Sequence, residues 1–322
     1  MDLTVIVLAA GKGTRMKSAK AKVLHELFFA PMIHHVLDAV GKLSAEKTIV
    51  VVGHQGNEVV KQLNGYNVKC VTQQEQLGTG HAVLVTEKYV QKGDGIVLVL
   101  CGDTPLIKPE TLLSMLEFHQ NESDNLTVMT TIMDDPTNYG RIISDENDNL
   151  IEIVEEKDLA ENERCISEIN AGIYCVDTSF LFESLKKIGT DNQQGEIYFT
   201  DIVKIASDAG CTVKKFICRD SSEIIGVNSR VELEKAAKIL QLRRNKELMD
   251  AGVSIMDTDT IFIGKTVSIE RDSIIYPHVF ITGSTAIGKG VKILPFSKIH
   301  NMTIDDYVTV QSFSNLTGKN VE

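Results

Sequence analysis

A chain of 322 residues is long enough for one large core and a smaller second one, because single hydrophobic cores stop growing at roughly 250 residues. With 43% hydrophobic and 24% charged residues the composition is that of a globular protein, and no apolar run reaches the ~20 residues that span a bilayer. A net charge of −11 argues against nucleic acid as a partner, since a phosphate backbone is held by a broad basic surface. A cytoplasmic protein with no membrane insertion is expected. Asp2 stands where a secretory leader carries basic residues, so the first apolar run reads as a buried strand. The six cysteines form no Cys-x-x-Cys pair, and Cys70, Cys101 and Cys175 lie in apolar runs, as reduced thiols in a core would.

Strand-length apolar runs at 4–10, 48–53, 68–72 and 96–103 alternate with helical patterns near 31–43, 79–90 and 109–120. Buried parallel strands with crossover helices make an α/β open sheet. Between 126 and 227 further strands follow, with helical patterns only near 178–187 and 199–208, so this half is expected to be a mixed part of the same sheet. Residues 230–249 have few breakers and alternating charge and read as one long linker helix closed by Gly252. The expected division is 1–229, a linker over 230–252, and 253–322.

In the last segment isoleucine recurs at 263, 269, 275, 281, 287, 293 and 299. A strict period of six fits neither helix nor flat strand, and its solution is a parallel β-helix of about three turns. The register slips at Ile304 and resumes at Val310. A solenoid cut so soon after suggests that the natural protein is longer.

The first strand runs into Leu8-Ala9-Ala10-Gly11-Lys12-Gly13-Thr14-Arg15-Met16, and between Gly11 and Lys22 stand five basic residues, Lys12, Arg15, Lys17, Lys20 and Lys22, with no acidic one. On the acidic chain this points to a small anionic ligand. Glycines after a strand let backbone N–H groups approach phosphate, and a following helix N-terminus would add its dipole. Met16 stands where the third glycine of a dinucleotide fingerprint belongs, and no Gly-Lys-Ser/Thr ending supports a P-loop. The pattern, followed by Lys22-Val23-Leu24, resembles the signature of the sugar-1-phosphate nucleotidyltransferases. In that light Arg15 and Lys22 are expected on polyphosphate, while Lys17 and Lys20 fit a solvated surface.

"CGDTPL" puts Asp103 at the C-terminal end of a buried strand, where open α/β sheets keep their ligands; a turn or cap aspartate is the alternative. A triphosphate substrate would need Mg²⁺, which prefers carboxylate and phosphate oxygens. Asn228 in "IIGVNSR" could be a second, neutral ligand or simply a helix cap. In "QQEQLGTGHA", residues 73–82, the Gln73 amide can read a base edge as donor and acceptor, and Gly78 permits close backbone approach, or the stretch is a plain loop and cap.

With "NYGRI", "IVEEKD", "INAGIY", "YFTDI" and "GVNSR", this loop is similar to the bacterial bifunctional N-acetylglucosamine-1-phosphate uridylyltransferase and glucosamine-1-phosphate acetyltransferase family, in order and over nearly the whole chain. The resemblance implies a Rossmann-like nucleotidyltransferase sheet followed by a left-handed β-helix. It implies Mg²⁺-dependent transfer of UMP from UTP to N-acetylglucosamine 1-phosphate for cell-wall precursor synthesis. It further implies that Leu8, Ala9, Ala10, Gly11, Lys22, Gln73, Gly78 and Thr79 hold the nucleotide, and that Gly140, Glu155, Asn170 and Thr200 hold the sugar. Asp103 and Asn228 would bind magnesium, and Arg15, Lys22 and Asp103 would carry the catalysis. Where Cys101 stands, some relatives have an aromatic residue. His25, His34 and His35 are not needed as bases and are expected to pack or face solvent. The longer parent would be a homotrimer that also acetylates glucosamine 1-phosphate with acetyl-CoA, using coils beyond residue 322. Two rivals share the architecture: a glucose-1-phosphate thymidylyl- or adenylyltransferase, and a non-catalytic regulatory subunit.

Overall fold

A computed structural model describes residues 2–318 apart from 54, 91, 92, 94, 123 and 124. The chain forms two compact units, Met1–His25 with Pro31–Glu232, and Glu26–Ala30 with Leu233–Glu322.

Among the described residues the first unit is built on a nine-stranded sheet. Its strands are β1 (Leu3–Ala9), β2 (Lys47–Val52), β3 (Lys69–Thr72), β4 (Ile96–Cys101), β5 (Leu126–Ile132), β6 (Arg141–Ser144), β7 (Leu150–Val154), β8 (Glu168–Asp177) and β9 (Val213–Ile217). The order is β9-β5-β8-β4-β1-β2-β3, with the β6–β7 hairpin joined through β8. β4, β1, β2 and β3 are parallel, and β8 runs antiparallel between β4 and β5, which makes the sheet mixed. The apolar runs of β1 and β4 are buried on both faces because helices cover both. Val5, Val7, Leu98 and Leu100 pack with Ile33, Val36 and Leu37 of α1 (Met32–Val40). Ile6, Val97 and Val99, pointing the other way, pack with Ala82 and Val83 of α3 (Thr79–Leu84) and the apolar faces of α5 (Thr178–Leu185) and α6 (Asp201–Asp208).

Three local expectations are corrected. The helical pattern near 79–90 is one short helix that stops at Leu84, followed by a separate 3₁₀ turn at Glu87–Tyr89. A helix not read from the sequence, α2 (Gly56–Gln62), follows β2; only Gly56 and Val59 of it are buried, too few to show a period. After Gly13 comes a 3₁₀ turn, Thr14–Met16, and not an α-helix. The macrodipole expected behind the glycine loop is therefore missing, and backbone N–H groups and side chains must supply its positive field. The helices α4 (Pro109–Glu122) and α7 (Arg230–Asp250) lie where their patterns predict.

Among the described residues of the second unit eleven short strands stack in three parallel columns, the β-helix that the period of six predicts. Ile263, Ile281, Ile299 and Leu316 share one column. Ile269, Ile287 and Ile304 share the second, and Ile255, Ile275, Ile293 and Val310 the third. The first paired strand, Ser254–Ile255, precedes the isoleucine ladder and lies two residues out of step with it. Its corners repeat a left-handed backbone: His278, Phe296 and Phe313 have φ of 60°, 63° and 63°. Their rings stack at 4.7 and 5.1 Å, which offsets the strain of a bulky residue there. Part of α7 is fixed to the first coil by amides: Gln241 Nε2 donates to the carbonyls of Thr258, Asp259 and Ile261, and Asn245 Nδ2 to those of Thr258 and Ile261.

Candidate active site

The loops leaving the C-terminal ends of β1, β3 and β4 meet over the first unit's sheet, where such sheets bind ligands. They enclose a cavity of about 330 Å³. Its wall includes Leu8, Ala9, Ala10, Gly11 and Lys22 from β1 and the chain after it, Gln73, Gly78 and Thr79 from the chain after β3, and Cys101 and Asp103 at the end of β4.

Gly13 fixes the first loop. It lies at φ 58°, and a Cβ there would fall 2.7 Å from the Lys22 Cβ, so the loop can close against Lys22 only with glycine. The backbone of Lys22 sits in a 3₁₀ turn, Lys22–Leu24, anchored by buried Val23 and Leu24. Gly11 is different: a Cβ would meet nothing within 4 Å, so its backbone faces open space.

Lys22 Nζ donates to Asp103 Oδ2 and, at 3.0 Å, to Asn228 Oδ1, with the Lys22 and Asp103 side chains 13% and 17% exposed. The two acceptors come from distant segments joined by a backbone bond, Val227 N–H to the Asp103 carbonyl at 2.8 Å. Glu223, buried, strengthens this tie by accepting from the Lys108 backbone, the Lys108 ammonium and the Thr111 hydroxyl. The cap of α7 is Ser229, whose Oγ accepts from Glu232 N–H, while Glu232 accepts from the Asn228 N–H. Asn228 itself turns its oxygen to Lys22.

The Gln73 amide nitrogen donates to the Gly78 carbonyl at 3.0 Å and lies 3.2 Å from His81 Nδ1. Its amino group is thus turned to the Gly78 carbonyl and the His81 ring. Gly78 has φ 111°, and a Cβ would lie 2.5 Å from the Ile197 carbonyl. Thr79 Oγ1 accepts from Phe199 N–H, so this hydroxyl also clasps the loop.

Gly140, Glu155, Asn170 and Thr200 do not line that cavity and form a polar cluster of their own. Asn170 N–H donates to the Gly140 carbonyl, Asn170 Nδ2 to the Tyr174 hydroxyl at 2.7 Å, and Thr200 Oγ1 to Glu155 Oε1 at 3.1 Å. Burial raises the Glu155 carboxyl above its usual range, opposed by the Thr200 hydroxyl and reinforced by Asp201 and Asp158. Cys101 stands between the groups: it lines the cavity, and its Sγ lies 4.0 Å from the carbonyl of Gly172, whose N–H donates to Asn170 Oδ1. Its thiol is pushed up to about 12, chiefly by burial and then by Asp103. Arg15 is exposed and outside the cavity wall.

Sequence reasoning missed Gln76 and Glu196 and read Lys12 only as part of the basic run, yet all three line the cavity. Gln76 Nε2 donates to the Ala10 carbonyl at 2.7 Å, tying two loops together. Its place in the same Gln-rich stretch as Gln73 was the available signal. His25 is buried, which agrees with packing.

Among the described residues no helix is long and apolar enough to cross a membrane, and no group of three or more His, Cys, Asp or Glu could hold a metal. Two oxygen donors around one cation, here an ammonium, suit a hard ion that takes its remaining ligands from phosphate and water.

The sequence pattern of the nucleotidyl transferase family matches residues 4–233. The chain is 44% identical over 324 residues to the bifunctional protein GlmU of Caldanaerobacter subterraneus subsp. tengcongensis, covering 100% of this chain and 70% of that one. It is 44% identical over 316 residues to GlmU of Desulfotalea psychrophila, covering 98% and 93%. A UDP-glucose pyrophosphorylase solved with UDP-glucose superposes with a TM-score of 0.60 at 18% identity, covering 76% of this chain and 100% of that one, which supports the fold. An open sheet with its ligand cavity at the strand ends, a β-helix after it and identity of this extent agree with one another, and the chain belongs to the nucleotidyl transferase family as an enzyme of the bifunctional GlmU group.

Proposed function

We propose that the chain transfers UMP from UTP to N-acetylglucosamine 1-phosphate, with Mg²⁺, releasing pyrophosphate. The observation that carries this is the meeting of Lys22, Asp103 and Asn228 beside a cavity walled by residues of the glycine and glutamine loops.

A sugar 1-phosphate is an anion at neutral pH, so its oxygen can attack the α-phosphorus in line without a base while pyrophosphate leaves. The chain must align the two anions and neutralise their charge. The backbone around Ala10 and Gly11 and the Gln73 carbonyl would hold the nucleoside, and Lys22 the phosphates. The Gly140, Glu155, Asn170 and Thr200 cluster would orient the sugar through its hydroxyls and acetamido group, with Cys101 between the halves. Asp103 and Asn228 would hold Mg²⁺, which when bound neutralises phosphate charge. Arg15, exposed on the loop, would meet the departing pyrophosphate from solvent.

The test is pyrophosphate release across a panel of UTP, dTTP and ATP with N-acetylglucosamine 1-phosphate and glucose 1-phosphate. UTP with N-acetylglucosamine 1-phosphate should be turned over fastest, and only with the divalent cation. Equal rates with glucose 1-phosphate, or a preference for dTTP or ATP, would overturn the substrate assignment.

A further inference from the structure

Lys22 is assigned above to phosphate, yet its ammonium lies on the two oxygens assigned to the metal. Both uses draw on one charge. We infer that in the nucleotide-free protein Lys22 is the resident counter-cation of the Asp103 and Asn228 oxygens, so that lysine and divalent cation compete for them until a triphosphate draws the lysine away. This rests on the reading of Asp103 and Asn228 as metal-holding residues.

The surroundings hold the backbones on both sides of the contact. The Val227 to Asp103 backbone bond and the Glu223 clamp hold the two segments on a common frame, and Asn228 Nδ2 donates to the Gly226 carbonyl at 3.2 Å. Buried Val23 and Leu24, with Gly13 closed against the Lys22 Cβ, hold the Lys22 backbone. What can move is a flexible four-carbon chain ending in a compact charge. Lys22 also lines the cavity, so the ammonium can leave the oxygens and meet an incoming phosphate by rotating that chain alone.

A divalent cation on the same oxygens would stand against an ammonium at contact distance, and like charges that close in a partly buried site repel strongly. One of the two must go. Metal alone has to displace an ammonium already held by both oxygens, so it should bind weakly. A triphosphate offers the ammonium new oxygens, and metal and nucleotide then support each other. Linkage makes this reciprocal: the factor by which nucleotide raises metal affinity is the factor by which metal raises nucleotide affinity.

The experiment uses Mn²⁺ in place of Mg²⁺, titrated into nucleotide-free protein and read by electron paramagnetic resonance of the free ion. Lys22→Met and Lys22→Gln should both bind Mn²⁺ at least about tenfold more tightly than the native chain, within the range of ordinary coupling factors. A non-hydrolysable UTP analogue should tighten Mn²⁺ binding to the native protein by a larger factor than to either variant. Unchanged or weaker Mn²⁺ binding in both variants would overturn the competition. Asp103→Asn placed on the Lys22→Met background separates this from the underlying assignment. Loss of the gained affinity supports both, whereas undiminished binding would mean that the metal sits elsewhere, and the assignment of Asp103 falls with the inference.

Discussion

In the second unit the same packing problem is solved again in every coil: Ile263, Ile281 and Ile299 stack on one another, and each is fully buried. In the first unit nothing repeats. Asp103 and Asn228 come from segments more than a hundred residues apart and meet because the chain before α7 bonds to the chain just past the C-terminal end of β4. One region spreads its stability evenly over equivalent residues, and the other gathers its chemistry into a few that cannot replace each other. A substitution in the coils should therefore read out as stability, and one at the strand ends as activity.

The largest effect expected is that of Asp103→Ala. Turnover should fall by about 10²–10³-fold, the loss seen on deleting one preorganised electrostatic group. The unfolding free energy should change by no more than about 1–2 kcal/mol, because Lys22 keeps Asn228 as a partner. Steady-state kinetics and denaturant unfolding on the same preparation check both halves, and a stability loss matching the activity loss would erase the contrast.

Ile281→Ala is the converse test. It removes a fully buried side chain from the middle of a column and should cost about 3 kcal/mol in the denaturant transition of that unit. A cost below about 1 kcal/mol would mean that the coils do not share the load as the columns suggest.

Asn170→Ala sharpens the picture inside the first unit. It removes the donor to Tyr174 and the acceptor from Gly172 N–H, leaving polar groups unpaired where the sugar is proposed to lie. The KM for the sugar phosphate should rise about tenfold, and that for UTP much less. Equal rises would take Asn170 out of sugar recognition.

The smallest effect is a pH dependence. Burial holds the Glu155 carboxyl above its usual value of 4.5, so the folded chain binds this proton more tightly than the unfolded one. The stability it contributes is complete below that value and is lost as pH rises through the higher folded value. Thermal unfolding across pH should show Glu155→Gln with a shallower decline above 4.5 than the native chain, and parallel curves would refute the shift.

The coils were the most legible part of the molecule, because a period of six is written in adjacent residues. The ladder did not reach Ile255, which pairs with Ile275 twenty residues on, while the slip read at Ile304 is there in the pairing: Ile287, Ile293 and Ile299 meet Ile304, Val310 and Leu316 seventeen on. The sheet was legible through its apolar runs and the cavity through Gly13 and Gly78, whose positive φ leaves little choice of residue. Asn228 was not decidable, since an Asn before a helix reads the same whether it caps or faces inward. That Ser229 takes the cap emerges only from the hydrogen bonds. Residues 26–30 gave no sign of belonging with the second unit, for a short apolar stretch does not name its neighbours.

Because Ser229 and Glu232 satisfy the start of α7 between them, its first turn does not rest on the Asn228 side chain. Stability and activity often trade against each other when one side chain serves both. Here the two duties fall on neighbouring residues, so the metal ligand proposed at position 228 can be exchanged while the helix behind it keeps its first turn. That leaves the chain a position at which selection, or an engineer, can explore new ion preferences without first having to repair the fold.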